Sequence, residues 1–92
     1  MRIDQLGCSE DAELHIWSRH QVALKEVEHA VYQRGLILRG RSENVYNVFG
    51  RTEEGRYLAI IVRYMGEGAA RLITARDMSR TERRRYERQT AH

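Results

Sequence analysis

The sequence predicts a two-layer α+β domain: helices first, then a four-stranded antiparallel meander, then one closing helix. Three observations predict it. Apolar residues recur at helical spacing as far as Val31, the pattern turns extended after Gly35, and Ser79 opens a marked helix near the C-terminus. Ninety-two residues make one domain, 1–92, near the small end of what folds alone. A hydrophobic share of 41% places the chain among globular rather than disordered proteins. It contains no proline and no low-complexity stretch that would mark an internal boundary.

Arg2 to Leu6 alternate weakly and suit a short, additional N-terminal edge strand. Ser9 is the N-cap of the first helix, with Glu10, Asp11 and Glu13 in its first turn, where the helix dipole favours anions. Leu14 and Trp17 stand three apart on one face, which predicts a core position for Trp17. His20-Gln21 breaks the pattern. A second helix resumes through Leu24, Val27 and Val31, and Gly35 stops it. The runs 35–41, 45–51, 57–64 and 70–76, rich in Ile, Leu, Val and Tyr, read as strands. Short polar or glycine-bearing links join them, as hairpins require. Ala59-Ile60-Ile61-Val62 is apolar on both faces, so its strand is central.

In the closing helix, Ser79 and Glu82 have the spacing of a capping box. Beyond them the helix has little to bury. Tyr86 is its one large apolar side chain, among Arg80, Arg83, Arg84, Arg85 and Arg88. A helix so polar must dock through Tyr86 or meet a charged partner. Clustered guanidiniums grip phosphates and carboxylates in bidentate fashion, which points to RNA or an acidic protein. The charge distribution agrees. Net charge is +3, made up of −3 over residues 1–30, +2 over 31–70 and +4 over 71–92. Cys8 is the lone cysteine, which rules out an intrachain disulfide and a cysteine-based zinc site. No segment resembles a signal peptide, and the longest apolar run, 58–62, is too short to span a bilayer. A cytoplasmic protein with no membrane partner is expected.

Three stretches resemble a known family. Arg19-His20-Gln21-Val22 is similar to the "KHGV" segment of BrnT-type toxins. Phe49-Gly50-Arg51-Thr52 with Gly55-Arg56-Tyr57-Leu58 resembles that family's "LGRT…GRxL" hairpin, and Leu72 to Met78 leading into Glu82 to Tyr86 resembles its "ITARxM…ERRRY" ending. The three occur in family order and cover roughly residues 13–88. Gln21 stands where the family has glycine, Arg19 where it has lysine, and Ala23 where a Ser or Thr often caps the second helix. The resemblance implies a RelE-like fold and the toxin of a type II toxin–antitoxin pair. The implied activity is endoribonuclease action that halts translation. The implied partners are a cognate, BrnA-like antitoxin in a hetero-oligomer, RNA as substrate, and operator DNA reached only through the antitoxin.

RNA cleavage needs the 2′-hydroxyl deprotonated, the charge growing on the phosphate stabilised, and the leaving 5′-oxygen protonated. Arg51 and Arg76, near strand ends and each matched to a family motif arginine, are candidates for stabilising the phosphate. A carboxylate partner such as Glu53 or Asp77 would make them structural instead. Histidine ordinarily titrates near neutrality, which makes His20 the candidate acid or base; capping a helix end is its structural alternative. Arg19, Arg83, Arg84 and Tyr86 are candidates for holding substrate, although consecutive helical residues point about 100° apart and cannot all face one ligand. His15 and His29 read as helix-surface residues. No carboxylate pattern suggests a metal ligand set, and no cofactor is expected. Two other readings fit the same residues: a catalytically inactive RelE-like binding partner or co-repressor, and a simple nucleic-acid-binding domain.

Overall fold

The structure, a computed structural model, describes every residue except Arg34 and His92. It contains β1 (Gln5–Gly7), α1 (Glu10–His20), α2 (Leu24–Tyr32), β2 (Leu36–Arg39), β3 (Val45–Arg51), β4 (Tyr57–Gly66), β5 (Ala69–Asp77) and α3 (Arg80–Thr90). The predicted α+β class and the meander β2–β5 are present. The N-terminal edge strand is also present, a few residues later than its sequence pattern placed it. It joins β5 in parallel, so the sheet is five-stranded and mixed, in the order β1-β5-β4-β3-β2.

Residues paired across a sheet share a face, and neighbours along a strand alternate. Val48, Leu58, Ile60, Val62, Leu72 and Ala75 therefore point to one side. There they meet Ile16, Val22, Val27, Ala30 and Val31 from the α1–α2 layer, and together these form the core. Phe49 and Ala59 point to the other side and are also buried. Here α3 packs against β2 and β3. To the predicted layer of helices on sheet, α3 thus adds a short cover over one end of the second face.

Trp17 is not in the core: it is 57% exposed and Leu14 is 64% exposed. The inward stripe of α1 is Ala12, Ile16 and His20, spaced by four, with Ile16 fully buried. Leu14 and Trp17 lie 100–200° around the helix from Ile16. A spacing of three identifies a stripe but does not say which of two competing stripes turns inward.

The α1–α2 junction is a tight reversal. Gln21 adopts the left-handed conformation, φ 52°, and the amides of Gln21 and Val22 donate to the carbonyls of Trp17 and Ile16. Glycine favours that conformation at a helix end, which accounts for the glycine in the resembling motif. Ala23 supplies no side-chain cap. Glu26 serves the helix start instead, its Oε1 accepting from the Ala23 amide at 3.0 Å.

Helix and sheet approach closely at Gly50. A Cβ there would lie 2.5 Å from the Ala30 carbonyl oxygen and 3.0 Å from the Ala30 Cβ. Gly50→Ala must push α2 away from β3 and is expected to cost about 1–3 kcal/mol, as overpacking does. Denaturant unfolding checks this, and a midpoint equal to the parent's would contradict the close approach.

Candidate functional site

The predicted capping box forms. Ser79 Oγ accepts from the Glu82 amide at 3.2 Å, and Glu82 Oε1 accepts from the Ser79 amide at 2.8 Å. Glu82 also receives Arg76, whose two terminal nitrogens donate to its two oxygens at 2.7 and 2.8 Å. Arg76 therefore has a carboxylate partner, and it is Glu82 rather than Glu53 or Asp77. The pair pins the start of α3 to the end of β5.

That bond lowers the Glu82 carboxyl to about 2, chiefly through Arg76, with the Ser79 amide adding to it. A free glutamate titrates near 4.3. Between these values the folded chain binds fewer protons than the unfolded one, so acid favours unfolding. The stabilisation is complete above about pH 4.3 and is lost as pH falls toward about 2. The Arg76 side chain is 39% exposed, so solvent screens the pair and the contribution is on the order of 1 kcal/mol. Urea midpoints measured across this range should fall for the parent more steeply than for Glu82→Gln. Equal slopes would contradict the assignment.

Farther along, α3 docks through aromatic contacts. The Tyr86 ring meets the Tyr57 ring edge-on, centroids 5.9 Å apart. The Arg83 guanidinium lies 4.0 Å from the centroid of the Tyr57 ring, and the Arg51 guanidinium 4.9 Å from it. The Tyr57 hydroxyl donates to Glu87 Oε2 at 3.1 Å. Tyr57 is thus a post on which two cations and a second aromatic ring converge. Arg51 is held in addition by the Gly55 carbonyl, to which its Nε donates at 3.4 Å. That carbonyl belongs to a turn fixed by Thr52, whose buried hydroxyl accepts from the Arg56 amide at 2.9 Å. Beside this group is an open cleft of about 600 Å³ lined by Arg51 and Tyr86 together with Gln33, Glu53 and Glu54.

So Arg51, Arg83 and Tyr86 come together, with Arg76 nearby at the root of α3. Arg84 is exposed and has no ion-pair partner among the described residues. Arg19 and His20 are placed differently. Arg19 is exposed at the end of α1. The His20 ring is half-buried, 5.9 Å from the His15 ring. No hydrogen bond, ion pair or ring contact among the described residues joins either one to Arg51, Arg76 or Tyr86. His20 sits at the same end of the sheet but on the core face, where Asp77 also points. It is close enough that its charge helps hold the Asp77 carboxyl below its usual value, a shift that hydrogen-bonded Arg56 causes in the main.

Arg56 is the residue that sequence reasoning missed. Its guanidinium donates to both oxygens of Asp77 at 2.7 and 3.2 Å, to Glu26 Oε1 and Oε2 at 3.1 and 3.3 Å, and to the carbonyls of His20 and Gln21 at 3.0 and 2.8 Å. Arg56, and not the His20 ring, satisfies the end of α1. The available signal was its place in the "GRxL" hairpin motif. Its acceptors come from three segments distant in sequence, which no local pattern brings together.

Among the described residues, no three His, Cys, Asp or Glu side chains gather into a metal-binding group. Among them, too, no helix is long and apolar enough to cross a membrane.

Three helices on a five-stranded mixed sheet, with an arginine-rich last helix over one end, define the class of protein by its fold. The BrnT ribonuclease toxin of Brucella abortus, solved as a crystal structure, shares this fold. The two superpose with a TM-score of 0.68 over 83% of this chain and 97% of that one, at 14% sequence identity. No protein-family model matches the chain, and no curated protein sequence matches it.

Proposed function

We propose that the protein is the toxin of a type II toxin–antitoxin pair, an endoribonuclease that cleaves RNA and halts translation. The observation that carries this reading is the convergence of Arg51 and Arg83 on Tyr57 beside Tyr86, in a chain with the fold of a ribonuclease toxin. Cations fixed before the substrate arrives stabilise charge as it develops on a phosphate without reorganising at the moment of reaction. Arg51 and Arg83 hold the scissile phosphate, Tyr86 stacks on a base and Arg84 steers a neighbouring phosphate, while Arg76, tied to Glu82, holds α3 in place. His20 and Arg19 lie on the α1 side of the sheet, across it from this cluster, and take no part in holding the phosphate. Attack by the 2′-hydroxyl, which gives its proton to water, breaks the bond to the 5′-oxygen, which takes a proton from water, leaving a 2′,3′-cyclic phosphate and a 5′-hydroxyl. The proposed scheme calls on no metal ion or cofactor. A cognate antitoxin covering the arginine helix silences the enzyme in a cytoplasmic hetero-oligomer and is the route to operator DNA.

Induced expression in a bacterial host, together with assay of the purified protein on RNA, tests this. Growth arrest and fragments with 5′-hydroxyl ends are expected. Absence of both, with tight binding of a small protein encoded next to this one, would mark an inactive partner or co-repressor. Duplex DNA binding without RNA cleavage would mark a nucleic-acid-binding domain.

A further inference from the structure

The second face of the sheet extends well past α3. On strands β2 to β5 the pairing places four arginines on that face, Arg51, Arg63, Arg71 and Arg76, and no acidic residue. Two of the four, Arg63 and Arg71, are directly opposite each other on β4 and β5. Both are exposed, and neither takes part in an ion pair or a side-chain hydrogen bond among the described residues. Like charges placed directly opposite across a sheet repel. A pair of this kind gains nothing for the fold, whereas an anion between the two guanidiniums would accept from both.

We propose that Arg63 and Arg71 form a second phosphate-binding position, which extends the RNA path across the open sheet away from α3. Arg63 lies six residues along β4 from Tyr57, the partner of Arg51, so the two positions are about 20 Å apart. Between them lie Asn47, Ile61 and Thr74, uncharged and half-buried, and Arg76, whose charge Glu82 already meets. A strand of phosphates meets cations at both ends of this track and no carboxylate in the sheet beneath it. Met65 and Ile73, exposed beside the pair, are what an acidic peptide would use instead. The run of arginines continuing to α3 favours the polyanion.

This inference rests on the RNA reading above, and the test separates the two. The probe is a 2′-O-methyl oligonucleotide, which cannot be cleaved, titrated at several salt concentrations. The double variant Arg63→Ala/Arg71→Ala should bind it more weakly. The slope of log affinity against log salt should be smaller by about 0.7 for each phosphate that the variant no longer neutralises. The variant's thermal midpoint should equal or exceed the parent's, because a repulsive pair has been removed. If the parent binds no oligonucleotide, the functional reading fails first. If parent and variant bind it with equal affinity and slope, the second position is refuted alone. Loss of binding to a polyglutamate peptide with oligonucleotide binding unchanged would assign the pair to an acidic protein and also overturn the proposal.

Discussion

Arg51→Ala is expected to lower RNA cleavage by about 10²–10³-fold, as removal of one fixed donor to a developing oxyanion does. The guanidinium is exposed, lies over Tyr57 and is tied to the Gly55 carbonyl. Its removal should therefore move folded stability by no more than about 0.5 kcal/mol, which separates the catalytic loss from unfolding. Single-turnover rates at saturating RNA make the measurement. Arg83→Ala should act in the same direction. Because both guanidiniums rest on the one Tyr57 ring, the double variant should lose less than the product of the single losses. A drop of less than about threefold for Arg51→Ala, with the fold intact, would remove the Tyr57 cluster from the reaction.

The largest stability effect is expected at Arg56. Arg56→Ala leaves the carboxylates of Glu26 and Asp77 without their cation and strips a donor from the His20 and Gln21 carbonyls. Breaking a fully buried pair costs about 3–5 kcal/mol, and here Asp77 is exposed while Glu26 is half-buried. The Arg56 side chain is 27% exposed, so about 2–4 kcal/mol is the expectation here. Arg56→Lys should restore the smaller part, because one compact ammonium cannot span acceptors on α1, α2 and β5 together. Urea unfolding of the three proteins checks both statements. A loss under about 1 kcal/mol for Arg56→Ala would mean that the junction is held by its backbone bonds and by core packing.

What the sequence made legible was local. The Ser79–Glu82 box lies within four residues, and each hairpin link lies within a few positions of the strands it joins. Those elements appear where their patterns put them. The burial of Trp17 depended on which side of α1 meets the sheet, and a helix of eleven residues with two candidate stripes does not announce that. Arg56 was invisible for a related reason, since its acceptors lie on three elements that only the folded chain assembles. Within the candidate site, the cluster of Arg51, Arg83 and Tyr86 could be anticipated from residue type and position. Tyr57, the ring that organises it, was read only as the start of a strand.

The parallel pairing of β1 has a consequence for timing. Gln5 pairs with Ala69, more than sixty positions away along the chain, whereas β2 to β5 close through short hairpins. Contacts between distant segments slow folding, because the chain must be looped before they stabilise anything. The meander can form from neighbouring segments, while β1 waits until β5 has been made. During synthesis Ile16 and Val22 are therefore without the β5 residues Leu72 and Ala75 with which they share the core, and the N-terminal third stays open to other partners until Ala69 to Arg71 have emerged.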